Sequence, residues 1–205
     1  MNVISGFISM PKSGSKFELV LKRITDILIA GSVLLILLPV LIITALLICL
    51  DSPGQALFTQ KRVGLKGELF NIYKFRTMKT GTPDLATDIM IKQASPITRI
   101  GKFLRKTSLD EIPQLLNILK GEMSIVGPRP ALYNQYSLIS KRAELGILNV
   151  LPGITGYAQV NGRDEISDDL KIQYDQWYVD NWSYILDWKI ILNTFKAVFT
   201  SKGVY

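Results

Sequence analysis

Residues 27–50, ILIAGSVLLILLPVLIITALLICL, decide how this chain folds, because they form 24 consecutive positions without a charged side chain. A straight helix over these residues would be about 36 Å long, which is enough to cross the hydrocarbon core of a bilayer. The run is too long for the core of a cleaved signal peptide, and no small-residue cleavage site follows it. The stretch therefore predicts a helical element inside the membrane.

Pro39 lies near the centre of this run, where a proline removes one backbone hydrogen bond and can bend a helix. Basic residues flank the run on both sides: Lys12, Lys16, Lys22 and Arg23 precede it, and Lys61, Arg62 and Lys66 follow it. By the positive-inside rule, both flanks belong on the cytoplasmic side. We predict a re-entrant helical hairpin over residues 17–50 rather than a single crossing, with a flexible lead-in over residues 1–16.

The remaining chain, residues 51–205, has the length of one domain of ordinary size. Within it, residues 56–76 predict two short strands about a turn at residues 64–67, and the polar residues 81–95 predict a surface loop. Helical spacing follows over residues 97–119, 132–150 and 166–199. The predicted fold class is α+β and predominantly helical, with a small β-hairpin and an N-terminal re-entrant membrane helix hairpin.

All three tryptophans, Trp177, Trp182 and Trp188, fall in one short window near the C-terminus. Core packing and an interfacial belt beside the membrane both remain open for them. The helical pattern over residues 184–199 combines large apolar residues with Lys189 and Lys196, which is typical of a helix lying in the membrane interface. We therefore expect the C-terminal helices of the 51–205 domain to contact membrane lipid.

The chain contains no histidine and only one cysteine, Cys49. These counts exclude the usual general base, the Ser–His and Cys–His nucleophile systems and the commonest zinc ligand. Any chemistry must rest on carboxylates, cations and a hard metal. Phosphoryl transfer fits this inventory, since it depends mainly on positioning and charge neutralisation.

The net charge is +7, from 24 lysines and arginines against 17 acidic residues. Such a balance favours anionic partners, namely phospholipid headgroups, nucleotide diphosphates or nucleic acid. No helix-turn-helix, zinc or aromatic–basic strand motif is present, so we expect no nucleic-acid partner.

Residues 104–130 hold the densest set of functional side chains. Ser108 and Glu111 have the spacing of a capping box, which predicts that Asp110 and Glu111 lie in the first turn of a helix. Acids there complement the helix dipole and need no further role. The cations Arg105 and Arg129 on either side favour a functional role as well, because arginines and a helix N-terminus attract phosphate. Mg²⁺ bound to a carboxylate would neutralise the remaining negative charge of a diphosphate.

Six motifs follow one another along the chain: residues 22–26 (KRITD), 60–64 (QKRVG), 74–78 (KFRTM), 107–114 (TSLDEIPQ), 120–130 (KGEMSIVGPRP) and 151–163 (LPGITGYAQVNGR). In this order, over roughly residues 17–200, they resemble the bacterial sugar transferase family, the monotopic phosphoglycosyl transferases. The chain is similar to the minimal members, which consist of the catalytic domain alone.

The resemblance implies a two-step reaction. Asp110 would attack the β-phosphate of a UDP-sugar, UMP would leave, and undecaprenyl phosphate would then accept the sugar phosphate from the enzyme. Glu111, with Asp110, would bind Mg²⁺. The cations implied near phosphate or nucleotide are Arg105, Arg129, Arg163, Lys74 and Arg76.

By the same resemblance, the catalytic domain would lie on the cytoplasmic face of the bacterial inner membrane and start the synthesis of a glycoconjugate. A carboxylate is already ionised at neutral pH, so such a nucleophile needs no histidine base. The transferred sugar cannot be read from the motifs, and a homodimer is compatible with the sequence.

Two alternatives stay open. Asp110 and Glu111 could both be metal ligands while the lipid phosphate attacks the nucleotide sugar directly. The other alternative is that the protein is not an enzyme but a membrane-anchored basic scaffold. In that case the change Asp110→Asn would leave its function intact.

Overall fold

The computed structural model describes residues 15–82, 97–162 and 166–199. The predicted lead-in falls almost wholly outside this range, as does most of the predicted loop at residues 81–95. Within it the fold class is confirmed as α+β and predominantly helical, while the re-entrant hairpin stays a prediction.

Helix α1 spans Lys16–Asp51 and contains the predicted membrane segment. It begins at a capping box, in which the Glu18 amide donates to Ser15 Oγ (3.2 Å) and the Ser15 amide donates to the Glu18 carboxylate (2.9 Å). Pro39 lies inside the helix, which continues through it. In the described part of the chain, α1 is the one helix long and apolar enough to cross a membrane, with a mean hydropathy of 3.3 in its most apolar window.

Both halves of α1 pack against the rest of the molecule, whereas its middle does not. Ala30 is fully buried in one apolar cluster, and Ile48 lies in another with Phe75 and Leu104. Between them, Leu35 and Ile36 are 74% and 73% exposed. Apolar side chains are exposed along most of α1, from Phe17 (74%) to Leu50 (83%), and the middle of the helix is part of this surface.

Strands β1 (Leu57–Val63) and β2 (Leu69–Phe75) form the predicted antiparallel hairpin. The turn between them is a short 3₁₀ segment, Leu65–Gly67, in which Lys66 adopts a left-handed conformation (φ 55°). On its other edge β2 is paired by a side chain: Asn117 Oδ1 accepts from the Tyr73 amide (3.1 Å) and Asn117 Nδ2 donates to the Asn71 carbonyl (2.8 Å). This buried amide satisfies backbone groups that a third strand would otherwise bind.

Several shorter helices follow α1. They are α2 (Arg99–Thr107), α3 (Leu115–Lys120), α4 (Tyr136–Glu144), α5 (Tyr157–Gly162), α6 (Asp168–Asp180) and α7 (Tyr184–Phe199). All except α5 lie in the predicted regions of helical spacing; α5 was not predicted and falls in the motif at residues 151–163. Two strands of three residues each, β3 (Ser124–Val126) and β4 (Gly153–Thr155), form a parallel pair that the sequence did not predict. Strands of this length are too short to show an alternating pattern.

The C-terminal aromatic residues divide between the core and the surface. Trp182 is buried in the cluster that joins β3 to α4, α6 and α7, while Trp177 and Trp188 are 42% and 40% exposed. Along α7 the exposed apolar side chains recur at helical spacing: Ile185, Trp188, Leu192 and Phe195. Core packing is thus correct for one tryptophan, and α7 presents an apolar stripe.

Candidate active site

Asp110 and Glu111 lie in a 3₁₀ helix, Leu109–Gln114, between α2 and α3. The predicted first-turn position is correct, but the predicted capping box is wrong. Ser108 adopts a left-handed conformation (φ 56°) at the end of α2, and its side chain forms no cap. The Glu111 side chain instead binds two cations, because charge-assisted hydrogen bonds are stronger than a bond to one backbone amide.

Pro113 explains why the acidic pair sits in a 3₁₀ segment. It has no amide hydrogen to donate and its ring crowds the preceding turn, so regular α-helix starts only at Leu115. The segment packs against β2, which brings Lys74 over the acids. The sequence spacing therefore predicted the position of the acids, and Pro113 determines that their backbone is 3₁₀ rather than α-helical.

Glu111 holds two ion pairs. Its Oε1 accepts from Lys74 Nζ at 2.7 Å and from Arg129 Nη2 at 2.9 Å. Burial raises the pKa of Glu111, but the charges of Arg129 and Lys74 outweigh burial and hold that pKa well below its usual range. Glu111 is consequently ionised under all ordinary conditions, and both cations bind the same one of its oxygens.

Asp110 lies in a different electrostatic environment. Burial, helped by the neighbouring charge of Glu111, raises the pKa of Asp110 to about 6, against the opposing effect of Lys74 and Arg105. Among the residues that the structure describes, no side chain forms an ion pair with Asp110 within 4 Å. Asp110 is thus ionised at neutral pH and has no ion-pair partner among the described residues.

Two further predicted cations, Arg105 and Lys74, lie near the acidic pair. Arg105, in the last turn of α2, donates from Nε to Thr77 Oγ1 at 3.0 Å; burial lowers its pKa and the charge of Asp110 raises it. It therefore lies within the field of the acidic pair. Lys74 belongs to the site through its ion pair with Glu111; burial lowers its pKa and the charge of Glu111 opposes the change.

Arg76 is not brought together with the acids. Its guanidinium donates to the carbonyls of Ser52 (2.6 Å) and Pro53 (2.5 Å), just past the end of α1. Strand β2 ends at Phe75, so the alternation that would place Lys74 and Arg76 on one face no longer applies. Arg163, the remaining predicted cation, lies outside the described residues.

The segment that carries Arg129 is packed closely against β4. A Cβ atom on Gly153 would lie 2.1 Å from the Gly127 amide nitrogen, and one on Gly156 would lie 2.2 Å from the Gly127 carbonyl oxygen. Only glycine permits so close an approach of two backbones. These glycines thus act on the site through the Arg129 segment.

Sequence reasoning missed two residues that shape the site. Asn117 forms hydrogen bonds to the backbone of β2. It lies between leucines and isoleucines in an apolar segment, and this single polar side chain was the signal in the sequence. Arg142 is 4% exposed and paired with Asp175. Its position one turn after buried Leu138 places it on the core face of α4, which was a signal of a buried charge.

Comparison with known proteins identifies the family of the chain. A model of the bacterial sugar transferase family matches residues 17–201. The chain is 41% identical over 186 residues to an uncharacterized sugar transferase, EpsL, of Bacillus subtilis, covering 91% of both chains. It is 40% identical over 192 residues to the UDP-glucose:undecaprenyl-phosphate glucose-1-phosphate transferase of Escherichia coli, and 35% identical over 212 residues to the undecaprenyl-phosphate galactose phosphotransferase of Salmonella typhimurium.

The chain belongs to the bacterial sugar transferase family. It covers 41% and 44% of the Escherichia coli and Salmonella proteins, so it spans less than half of those relatives. As a member of this family it is a transferase, so the alternative of a non-enzymatic scaffold is set aside. The acidic pair and its cations lie within the matched region.

Proposed function

We propose that this bacterial sugar transferase moves a sugar 1-phosphate from a UDP-sugar to undecaprenyl phosphate and thereby initiates glycoconjugate synthesis. The names of the Escherichia coli and Salmonella relatives support the two substrates. The observation that carries the proposal is the contrast within the acidic pair: Glu111 is bound by two cations, while Asp110 beside it is ionised at neutral pH and has no ion-pair partner among the described residues.

In the first step a carboxylate oxygen of Asp110 attacks the β-phosphorus of the UDP-sugar. A bond forms between that oxygen and phosphorus, and the bond from the β-phosphorus to the oxygen bridging the two phosphates breaks. UMP leaves with the electron pair. The sugar phosphate is then held on Asp110 as an acyl phosphate, and no proton has to be removed from the nucleophile.

In the second step a phosphate oxygen of undecaprenyl phosphate attacks the same phosphorus. The new bond completes a lipid diphosphate sugar, and Asp110 leaves as a carboxylate, ready for another cycle. A phosphate monoester is largely dianionic at neutral pH, so the acceptor also needs no base. This accounts for catalysis by a chain without histidine.

The cations of the site supply the binding side of the reaction. Arg105 and Arg129 are proposed to contact the diphosphate or the nucleotide, together with Lys74, and Arg163 remains a candidate from its motif. Arg76 binds the Ser52 and Pro53 carbonyls instead, so we propose a structural role for it. Lys74, Arg105 and Arg129 lie around the acidic pair, and guanidinium and ammonium groups bind phosphate oxygens through charge-assisted hydrogen bonds.

Mg²⁺ is the proposed cofactor, and Glu111 and Asp110 are the residues that would hold it. Both cations on Glu111 bind Oε1, so Oε2 is available as an acceptor. Mg²⁺ commonly binds to one or two protein carboxylates together with substrate phosphates, which fits this pair. When bound, the ion would neutralise charge on the diphosphate. Chelation with EDTA should abolish transfer and added Mg²⁺ should restore it.

We also propose that α1 is re-entrant, with the catalytic domain on the cytoplasmic face of the inner membrane. Lys22 donates to the Val126 carbonyl at one end of α1, and Asp51 accepts from the Ile100 amide at the other. About 43 Å of helix separates these two contacts, yet both reach the same domain. A helix that crosses the membrane would carry its two ends to opposite sides. The contact of both ends with one domain therefore supports a bend near the exposed middle of α1.

Topology can be tested by labelling single cysteines in a Cys49→Ser background. Ser15 and Gln55 are exposed at the two ends of α1, so Ser15→Cys and Gln55→Cys report on the two flanks. In inside-out vesicles a membrane-impermeant maleimide should label both. Labelling of the two positions from opposite sides would refute the re-entrant arrangement.

The apolar stripe of α7 is proposed to lie in the membrane interface. Its exposed members include Trp188, Leu192 and Phe195, next to Lys189 and Lys196. Protein lacking residues 17–50 should still bind liposomes through this stripe. Complete loss of binding on that deletion would argue against the contact.

The enzymatic proposal is tested with purified protein in nanodiscs and a panel of UDP-sugars, since the sugar itself is open. Without undecaprenyl phosphate, the correct donor should release UMP in an amount equal to the enzyme; with the lipid, release should become catalytic. Asp110→Asn should lose both signals, whereas Asp169→Asn, at a side chain 73% exposed, should retain both.

Two results would count against the proposal in different ways. UMP release that strictly requires the lipid acceptor would favour direct transfer, with Asp110 and Glu111 both as metal ligands. No release with any donor, with or without lipid, would contradict the function as a whole.

A further inference from the structure

The segment 126–130, which we call the Arg129 loop, is held by three cations that bind its backbone. Lys22 Nζ donates to the Val126 carbonyl at 2.9 Å, Arg142 Nη1 donates to the Arg129 carbonyl at 2.8 Å, and Arg62 Nη1 donates to the Pro130 carbonyl at 3.0 Å. These cations come from α1, α4 and β1. Three separate elements thus converge on the loop that places Arg129 against Glu111.

Arg142 is the most deeply buried of the three. Its side chain is 5% exposed and that of its partner Asp175 is 2% exposed, with 2.5 Å between Nη2 and the carboxylate. Burial raises the pKa of Asp175, and Arg142 opposes the change. Burying an ion pair costs desolvation that its attraction often does not recover, so stability alone is a weak reason for its presence.

The geometry of Arg142 shows what the pair achieves. One guanidinium nitrogen, Nη2, binds Asp175 on α6, and the other, Nη1, binds the carbonyl of Arg129. The planar guanidinium fixes the angle between these two bonds, which the single ammonium group of a lysine could not do. A rigid connection therefore runs from α6 through α4 to the backbone of the residue whose side chain binds Glu111.

We propose that Arg142, fixed by Asp175, is a positioning residue for the transfer reaction: it holds the backbone of Arg129 so that the Arg129 guanidinium stays on Glu111. The inference rests on the proposed function for its effect on rate. Lys22, paired with Asp187 at 2.6 Å, holds the start of the same loop. Loss of the Arg142 contact frees the loop near Arg129 and weakens the ion pair with Glu111.

The best test removes the pair without leaving a buried charge. Arg142→Met/Asp175→Leu replaces both partners by apolar side chains, a change that buried ion pairs often tolerate, and Arg142→Lys keeps the charge but not the fork. Lys141→Met/Asp169→Leu is the matched control, because this exposed pair (51% and 73%) joins the same two helices, and the Lys141 ammonium group donates to Asp169 and not to the Arg129 loop among the described residues.

Two measurements are made on each variant in nanodiscs. The first is kcat and KM for UMP release, where the Arg142 variants should lose about 10- to 100-fold in kcat, as expected for a small displacement of a group at the site, and the control should stay within about twofold. The second is the ¹⁵N signal of the Arg129 guanidinium, assigned with Arg129→Met, which needs no substrate. This signal should move toward that of a solvent-exposed arginine in the Arg142 variants, because the ion pair with Glu111 is weakened, and it should not change in the control.

The outcomes separate the inference from the proposed function. If wild-type protein releases no UMP, the proposed function fails, and the Arg129 guanidinium signal alone decides whether Arg142 positions Arg129. An unchanged Arg129 signal in the folded double variant would overturn the inference whatever the rate. A changed Arg129 signal with kcat unchanged in an active enzyme would overturn it too, since the position of Arg129 would then not matter for transfer.

Discussion

The acidic site and the junction between α1 and β3 both gather opposite charges, but they use them differently. At the junction, Lys22 binds Asp187 at 2.6 Å, Arg23 donates to the Ile118 carbonyl at 2.7 Å, and Asp26 accepts from Ser124 Oγ at 2.7 Å. At the site, Glu111 is bound by two cations and Asp110 by none within ion-pair distance among the described residues. Charge that is fully hydrogen-bonded holds backbone in place, and charge left over is available for chemistry.

The largest effect is expected at the uncommitted acid. Asp110→Asn removes the nucleophile and should lower transfer by at least about 10³-fold. Because burial raises the pKa of Asp110 to about 6, its charge disfavours the folded state at neutral pH, so Asn should leave the unfolding temperature unchanged or higher. Activity assays and thermal unfolding in nanodiscs check both. A variant that keeps its rate would remove the contrast on which the proposed function depends.

The next largest effect is expected for Arg76, which binds backbone carbonyls as the charged residues of the junction between α1 and β3 do. Arg76→Met removes charged hydrogen bonds to the Ser52 and Pro53 carbonyls and should lower the free energy of unfolding by about 3 kcal/mol. KM for the UDP-sugar should stay within about twofold for the folded fraction. Denaturant titration and steady-state kinetics measure the two. A rise in KM with unchanged stability would return Arg76 to the substrate-binding set.

The wild-type pH profile is a third test of the same contrast. Asp110 must be ionised to attack, and its pKa without bound metal is about 6, so at subsaturating Mg²⁺ the rate should fall about tenfold per pH unit below that value. Glu111 cannot produce this limb, because its cations hold its pKa below the usual range. Single-turnover UMP release from pH 5 to 8, with Trp fluorescence to monitor folding, gives the profile. A rate that is flat down to pH 5 would contradict the assignment.

The smallest expected effect is a displacement of that limb. Lys74 lowers the pKa of Asp110, so Lys74→Met should move the acidic limb to higher pH, while Lys74→Arg should move it less. The same single-turnover assay reports the midpoint. Lys141→Met, at an exposed ion pair away from the site, is the control and should leave the limb where it is. A shift to lower pH would mean that Lys74 does not act on Asp110.

Much of the fold and the site could be predicted because it depends on local patterns. The uncharged run fixes α1, and alternation about residues 64–67 fixes the β-hairpin. The order of motifs predicted one candidate site that contains the acidic pair and five cations. The structure places three of these cations, Lys74, Arg105 and Arg129, around the acidic pair. Arg76 lies elsewhere, and Arg163 lies outside the described residues.

Other features could not be predicted because they depend on contacts distant in sequence. The left-handed Ser108 replaced a capping box of correct spacing, since Glu111 found Lys74 and Arg129 instead. A true capping box formed at Ser15, where the Glu18 carboxylate had no ion-pair partner among the described residues. The same spacing thus gave two outcomes, decided by which cations the fold supplied.

The sequence by itself determined the membrane-directed helix, the hairpin, the acidic pair and the family, because each depends on residues adjacent in the chain or in fixed order. The tertiary structure alone decided which acid is bound by cations and which is not, and which cations hold backbone. The physical reason is that pKa values and ion pairs depend on burial and distances of a few ångströms between groups far apart in sequence. Asp110 and Glu111 are neighbours in the chain, yet their surroundings make them different acids.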